Sequence, residues 1–211
     1  RRAVADAPSP DSALRDALAL GRSEGAGAPL GERILLPALN VRGLQAGAVG
    51  GGAANVIPTQ ARASIDFRLV PDQRPARVRE LVEAHLRATG WHLVRDEPTP
   101  DERRAHPRVV RLQWEEGYPS LRASLETPFA RAVVRLVGGV QGRPPIEVPT
   151  LGGSLPLAPF GEVFGAPFVV LPIANHDDLQ HAPNENLRLQ NLREGIEAYA
   201  VLFAGLGGAW R

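Results

Sequence analysis

Residues 62–70 read RASIDFRLV and alternate apolar with polar side chains along their whole length. Because successive side chains of a β-strand point to opposite faces, this alternation predicts a half-buried antiparallel strand. Pro75 follows at a position that the first turn of a helix tolerates, and Gly90 predicts the end of that helix. The apolar face of the strand carries Ala63, Ile65, Phe67 and Leu69, and the polar face carries Ser64, Asp66 and Arg68.

Three further strands are predicted around this one. Residues 34–44 are apolar but contain Pro37, which is tolerated in edge strands and not in central ones. Residues 91–95 and 109–114 also have strand character. The order of strand, strand, helix, strand and strand predicts a small α+β sandwich in which a helix covers one face of an antiparallel sheet.

The pattern changes after Tyr118, where helices alternate with continuously apolar strands. Such strands are typical of a sheet that is covered on both faces. We therefore predict an α+β domain at residues 1–118 and part of an α/β domain at residues 119–211. The elements predicted in the second part are a helix from Thr127, strands at 146–148 and 168–173, a helix at 154–164, and a last amphipathic helix with Leu192, Ile196, Tyr199, Ala200 and Phe203 on its apolar face.

The composition excludes several classes of protein. A formal net charge of +1 gives no reason to expect a nucleic-acid partner. The chain has no cysteine, so any metal ion must be bound by His, Asp, Glu or water. No apolar run reaches the ~20 residues that span a bilayer, and no signal peptide is recognisable, so we expect a cytoplasmic protein without a membrane partner. Methionine is absent and the chain begins with Arg1, which favours a piece of a longer product.

The densest polar cluster lies at residues 174–185, between the predicted strand at 168–173 and the last helix. Ligands often bind at the carboxyl ends of strands in open α/β sheets. Two His, two Asp and one Glu occur in this segment, which is a donor set suited to a divalent metal ion. The alternative is a solvated loop whose polar residues cap the helix that follows.

Two other groups are candidates for binding an anion. The guanidinium of Arg68 is suited to bidentate contact with a carboxylate, although the residues alone favour a surface arginine that is paired with Asp66 or left in water. The glycines of Gly152-Gly153-Ser154 let the backbone approach a ligand closely, and the predicted helix after them would direct free N–H groups at an anion. Ser154 would also serve simply as the helix N-cap.

Three motifs, the first of them in two parts, together resemble the aminoacylase/carnosinase family of metallopeptidases, in its dipeptidase-like branch. They occur in the order and at the separations typical of that family, and the resemblance extends from about Ile34 onward. The motifs are NVIP at 55–58, ASIDFRLVP at 63–71, GGSLP at 152–156 and HAPNE at 181–185.

The resemblance implies a lid, or dimerisation, domain at residues 1–118 and the C-terminal part of a mixed-sheet catalytic domain after it. His181 would be a metal ligand, and Arg68 would bind the substrate carboxylate together with Gly153 and Ser154. Asn55 would reach toward the active site of a partner subunit in a homodimer. The family uses two divalent ions, with zinc expected here and manganese or cobalt as alternatives, to hydrolyse a dipeptide or N-acyl amino acid.

The other metal ligands of the family, among them a His-x-Asp motif and a Glu-Glu pair, are not recognisable in this sequence. A single imidazole does not hold two divalent ions. We therefore expect this chain alone to be inactive, with no catalytic residue of its own and no stably bound metal. A non-catalytic dimerisation or binding module derived from such an enzyme is the alternative.

Overall fold

The computed structural model describes residues 8–24, 27–115, 117–150, 153 and 155–210. Residues 33–121 form one compact unit, and residues 122–211 form the other together with the segment before residue 33. This division lies near the predicted domain boundary at residue 118, and the placement of the first 32 residues in the lid domain stays a prediction. Two short helices, α1 (Asp11–Ala17) and α2 (Leu30–Arg33), precede the first strand.

The alternating segment that begins at Arg62 forms the predicted strand. Strand β1 (Ala38–Ala46) pairs antiparallel with β2 (Ala61–Arg68), from Ala38 opposite Arg68 to Ala46 opposite Ala61. A β-bulge interrupts the register between Val41 and Gly43. The first strand begins just after Pro37, which has no N–H to donate to a ladder. Ile65 and all of β1 are exposed, so the predicted buried face of this sheet is only partly covered.

The second sheet of this unit differs from the prediction. Helix α3 (Pro75–Ala88) has Pro75 in its first turn, and Gly90 after it is left-handed with φ +88°, as the sequence predicted. Strands β3 (His92–Val94) and β4 (Val109–Arg111) then pair with each other, but they run parallel. The expectation of one antiparallel sheet is therefore wrong. Helix α4 (Pro100–Ala105), with a capping box between Thr99 and Glu102, forms a crossover that lets β4 run in the same direction as β3.

The second unit is built on helix α5 (Pro128–Gln141). Thr127 caps it, since its Oγ1 accepts a hydrogen bond from the backbone N–H of Ala130 at 3.1 Å. Gly142 ends it in the left-handed conformation, with φ +66°. This confirms the predicted helix start. The buried apolar residues of the structure all belong to this unit: Ala130, Ala132, Val133, Val137, Ala158 and Ala198.

The last helix, α7 (Leu189–Ala209), buries a different face from the one predicted. Gly195 lies against Ile173, and Gly205 lies against Leu136 of α5. Ala198, whose position in the sequence is between the two glycines, is also buried. Small residues allow this close approach, so they form the buried face, and two of the predicted apolar residues point away from it. Ile196 is 61% exposed and Phe203 is 88% exposed. Although α7 has 21 residues, no helix in the described part of the chain is both long and apolar enough to cross a membrane.

The predicted strands at 146–148 and 168–173 do not form ladders among the described residues. Both segments lack helical structure, but a strand is stable only beside a neighbour that accepts and donates its backbone hydrogen bonds. Helix α6 (Ala158–Phe164) begins four residues later than predicted. The fold class is nevertheless confirmed as α/β with small sheets, while the sheet covered on both faces is absent from the described residues of this unit.

The contact between α7 and Ile173 gives a test of the packing. A Cβ added at Gly195 would lie 2.5 Å from Cγ2 of Ile173, whereas one added at Gly207 would meet nothing within 4 Å. Gly195→Ala should therefore lower the free energy of unfolding by about 1–3 kcal/mol, the usual cost of overpacking. Gly207→Ala in the same helix should leave it unchanged or raise it by up to ~1 kcal/mol. Equal effects in urea denaturation would contradict the close contact.

Candidate functional site

The polar segment at residues 174–188 connects the extended run at 168–173 to α7. Asn175 is its buried residue, at 5% exposure. The Nδ2 of Asn175 donates to Oδ1 of Asp177 at 2.9 Å and to Oδ1 of Asn186 at 3.3 Å. Its Oδ1 accepts from the backbone N–H of Arg188 at 2.9 Å. One amide side chain therefore ties the beginning of the segment to its end.

An ion pair makes a second connection between the same two ends. Nη2 of Arg188 lies 2.5 Å from Oδ2 of Asp177. Hydrogen bonds from Arg188 first, and from Asn175 second, lower the pKa of Asp177 from 3.8 to about 2. The Asp177 side chain is therefore a carboxylate at neutral pH and acts here as an acceptor from two partners.

The backbone between these anchors is strongly turned. Leu179, His181 and Asn184 all have positive φ, at 57°, 63° and 67°. For residues other than glycine this conformation costs roughly 1–2 kcal/mol each, less for asparagine, so surrounding contacts must enforce it. Backbone hydrogen bonds join Ala182 N to Leu179 O and Asn186 N to Asp178 O, both at 2.9 Å. His181 is exposed within this ordered loop.

The described residues do not fit a complete metal site. Nowhere in the described ranges do three His, Asp or Glu side chains approach closely enough to share an ion. The metal site considered for residues 174–185 on composition is therefore not formed by this loop alone. Asp177 is engaged by Arg188, and an Asp178 oxygen accepts from Gln180 N at 3.0 Å. The two aspartates thus make contacts within the loop, whereas the alternative had its polar residues cap the next helix, and the N-cap residue Arg188 makes no such side-chain hydrogen bond.

Arg68 lies at the end of β2 in the other unit. Its Nε is 2.7 Å from Oδ2 of Asp66, and Nδ2 of Asn40 lies 3.5 Å from the same oxygen. The pairing with Asp66 that was one explanation for Arg68 is therefore present. The side chain of Arg68 is 51% exposed, so a solvent-borne anion can reach it. Its function as a carboxylate-binding group stays a prediction.

The remaining predicted residues are divided between the units. Asn55 is exposed in the loop after the 3₁₀ turn Gly50–Gly52, in the same unit as Arg68. Gly153 is exposed and belongs to the unit of His181. Ser154 and Gly152 lie outside the described residues. The convergence of Arg68, Asn55, Gly153 and His181 on one site accordingly stays a prediction. Sequence reasoning overlooked Arg188. Its only signal was a charge opposite to that of Asp177, at the other end of the same loop.

The pKa of Asp177 can be tested directly. Because the folded-state value is lowered, the ion pair stabilises the loop fully above about pH 4 and is lost as the pH falls through about 2. Arg188→Gln should move the titration midpoint of the Asp177 carboxyl, followed by ¹³C NMR, up toward 3.8. Arg135→Gln, which removes a surface guanidinium that contacts Ala209 O, should leave it near 2. An unchanged midpoint in Arg188→Gln would contradict the ion pair.

Comparison with known proteins shows what the chain is similar to. Residues 10–91 match the family model of the peptidase dimerisation domain. The Beta-Ala-His dipeptidase of Homo sapiens is 25% identical over 168 residues, which are 79% of this chain and 31% of that protein. The Cys-Gly metallodipeptidase DUG1 of Saccharomyces cerevisiae is 25% identical over 166 residues, covering 78% of this chain and 32% of its own length.

Solved structures show the same fold. An M20 family metallo-carboxypeptidase from Sulfolobus solfataricus superimposes with a TM-score of 0.75 at 24% identity, covering 97% of this chain and 44% of that one. Human carnosine dipeptidase 1 gives a TM-score of 0.72 at 21% identity, over 97% of this chain and 41% of its own. The chain spans about a third of the length of the curated relatives it matches. It therefore contains an M20-type peptidase dimerisation domain and is a homologue of part of the M20 metallodipeptidases.

Proposed function

We propose that the chain is part of a metal-dependent peptidase that hydrolyses a dipeptide or an N-acyl amino acid. In this proposal His181 contributes one metal ligand, and Arg68 binds the terminal carboxylate of the substrate. The observation that carries the proposal is the ordered left-handed loop that exposes His181, in a chain homologous to two metallodipeptidases. An exposed imidazole on a fixed backbone suits a ligand whose partners come from elsewhere.

Completion of the metal site would require residues outside this chain. Within the described part of the chain no three donors cluster, so the chain alone should be inactive and bind no ion stably. Two divalent ions are expected in the complete enzyme. Zinc fits an imidazole ligand best, and manganese or cobalt are the alternatives.

The anion-binding part of the proposal rests on Arg68. A guanidinium has a planar set of donors that matches a carboxylate, and half of this side chain is open to solvent. The pair with Asp66 uses Nε and would orient the group on the polar face of β2. Gly153 and Ser154 would add backbone N–H groups to the same carboxylate, and Asn55 would contact the site of a second subunit.

We further propose that the chain forms a homodimer through the unit that contains β1 and β2. The matched family model describes a dimerisation domain. Strand β1 pairs only with β2 among the described strands, and Leu39, Val41 and Leu44 on it are exposed. A free strand edge with apolar side chains favours pairing with another chain. The same observations support the second candidate function, a dimerisation module without catalysis. The cytoplasmic location of the protein stays a prediction.

The metal-ligand assignment can be tested in the full-length protein. His181→Ala should remove about one of two bound ions and lower turnover by at least ~100-fold, since a lost ligand should cost no less than a lost outer-shell partner. His176→Ala, another exposed histidine of the same loop, is the matched control and should change neither quantity. The metal content is measured by elemental analysis. If His181→Ala keeps both the metal content and the turnover of the wild type, the assignment is overturned.

The carboxylate assignment predicts a dependence on the substrate's charge. Arg68→Ala should reduce kcat/KM about 10- to 100-fold for a dipeptide with a free carboxylate, the range expected for losing a charged hydrogen bond. The same dipeptide with an amidated C-terminus should be affected much less. Arg62→Ala is the control, because Arg62 lies on the same face of β2 and its guanidinium donates a hydrogen bond to Oε1 of Gln60 at 3.0 Å. Equal losses with both substrates would contradict the assignment.

A further inference from the structure

We propose that Asn175, Asp177 and Arg188 are positioning residues that fix the conformation in which His181 is presented, before any ligand binds. The inference rests on the proposed function, since it assumes that the place of the His181 imidazole matters for activity. It adds a set of residues that act on His181 through the backbone of the loop between them.

The three residues form a closed triangle, in which Arg188 uses its backbone N–H as well as its side chain. Arg188 N donates to Asn175 Oδ1, Asn175 Nδ2 donates to Asp177 Oδ1, and Arg188 Nη2 donates to Asp177 Oδ2. Each residue therefore contacts the other two. Removing the side chain of Asn175 breaks two of the three connections, whereas replacing that of Arg188 breaks only its contact with Asp177, because the backbone N–H of Arg188 remains.

Asparagine is well suited to its corner of the triangle. Asn175 is buried and uses both of its polar atoms, since Nδ2 donates twice and Oδ1 accepts once. An aspartate would lose the two donated bonds, and an alanine would leave the backbone N–H of Arg188 without this acceptor. The residue therefore joins two chain segments that are 13 positions apart.

The loop that the triangle closes is one that would not keep its shape alone. Three residues other than glycine, including His181, hold positive φ between residues 178 and 185. Unfavourable backbone conformations persist only where the surroundings enforce them, and they concentrate at functional sites. If the ends separate, these residues can relax to the right-handed or extended regions, which would redirect the His181 side chain.

The triangle contributes little to the core of its unit. The buried apolar residues lie on α5, α6 and α7, and two of the three triangle members, Asp177 and Arg188, are about half exposed. Breaking the ion pair should therefore free the loop without unfolding the helices. This separates a positioning function from a general contribution to stability.

The first measurement is hydrogen exchange of the loop amides in this chain. Asp177→Asn and Arg188→Gln should each accelerate exchange at Gln180, Ala182 and Asn186 about three- to tenfold, as expected for losing one net hydrogen bond. Arg188→Lys keeps the charge and should restore part of the protection. Glu126→Gln is the matched control, because it removes an exposed ion pair with Arg131 in the same unit and should leave the loop unchanged. The midpoint of urea unfolding should be alike in all four variants.

The second measurement is steady-state kinetics of the full-length protein. Asp177→Asn should lower kcat about three- to tenfold while KM for the substrate stays within about twofold, because the loop carries the imidazole and not the carboxylate-binding group. Arg188→Lys, which preserves the charge that pairs with Asp177, should keep more of the wild-type kcat than Asp177→Asn does. If kcat fell only because less protein folded, the amount of active enzyme would be lower. A lysine at position 188, which preserves the ion pair, would then not restore kcat.

The outcomes separate the inference from the proposed function. Wild-type amide exchange in both Asp177→Asn and Arg188→Gln would overturn the inference, as would full kcat in Asp177→Asn when His181→Ala is inactive. Full activity of His181→Ala would overturn the proposed function and, with it, the functional meaning of the triangle, whatever the exchange rates. Faster exchange together with reduced kcat, reversed in part by Arg188→Lys, is the result that supports the inference.

Discussion

The close packing of α7 through its small residues is the constraint on which the second unit depends. Gly195 has no side chain, and this allows Ile173 to lie directly against the helix. Gly205 makes the equivalent approach to Leu136 of α5. Two chain segments are thereby fixed to each other, one immediately before the loop and one immediately after it. The hydroxyl of Tyr199 adds a hydrogen bond to Leu171 O at 3.1 Å on the same contact.

This contact explains how a loop of polar residues can be ordered. Asn175 follows Ile173 by two positions, and Arg188 is the N-cap residue of α7, so packing brings both ends of the loop together. Hydrogen bonds among Asn175, Asp177 and Arg188 then require little further loss of conformational freedom. The loop between them can hold unfavourable φ values because its ends are already fixed by apolar contact.

Local patterns in the sequence were sufficient for elements that depend on their own residues. The alternation at 62–70 predicted β2, and the N-cap and proline signals predicted the beginnings of α3 and α5. The prediction was wrong where the neighbour decides. Periodicity on α7 showed an apolar stripe but not that Gly195 and Ala198 form the closer contact. Likewise, residues 168–173 have strand character, but no described strand lies beside them to complete a ladder.

The candidate site, like the fold, could be predicted from the sequence only in part. The motifs predicted site functions for His181 and Arg68 that stay predictions, while the chain's homology to metallodipeptidases agrees with the family the motifs indicated. The pairing of Asp177 with Arg188 was not predictable, because it joins residues 11 positions apart that only the folded loop brings together.

An ordered loop also has a consequence for binding. A flexible loop that carries a metal ligand must lose conformational freedom when the ion binds, and this loss weakens the affinity. Under the proposed function this cost is met during folding, by contacts that do not include His181 itself. Such an arrangement lets His181 remain exposed and unengaged by the triangle, while its backbone is held by residues on either side. The rigidity of the loop then derives from the packing of Ile173 and α5 against α7, and under the proposed function the other groups of the site would meet His181 at a fixed place.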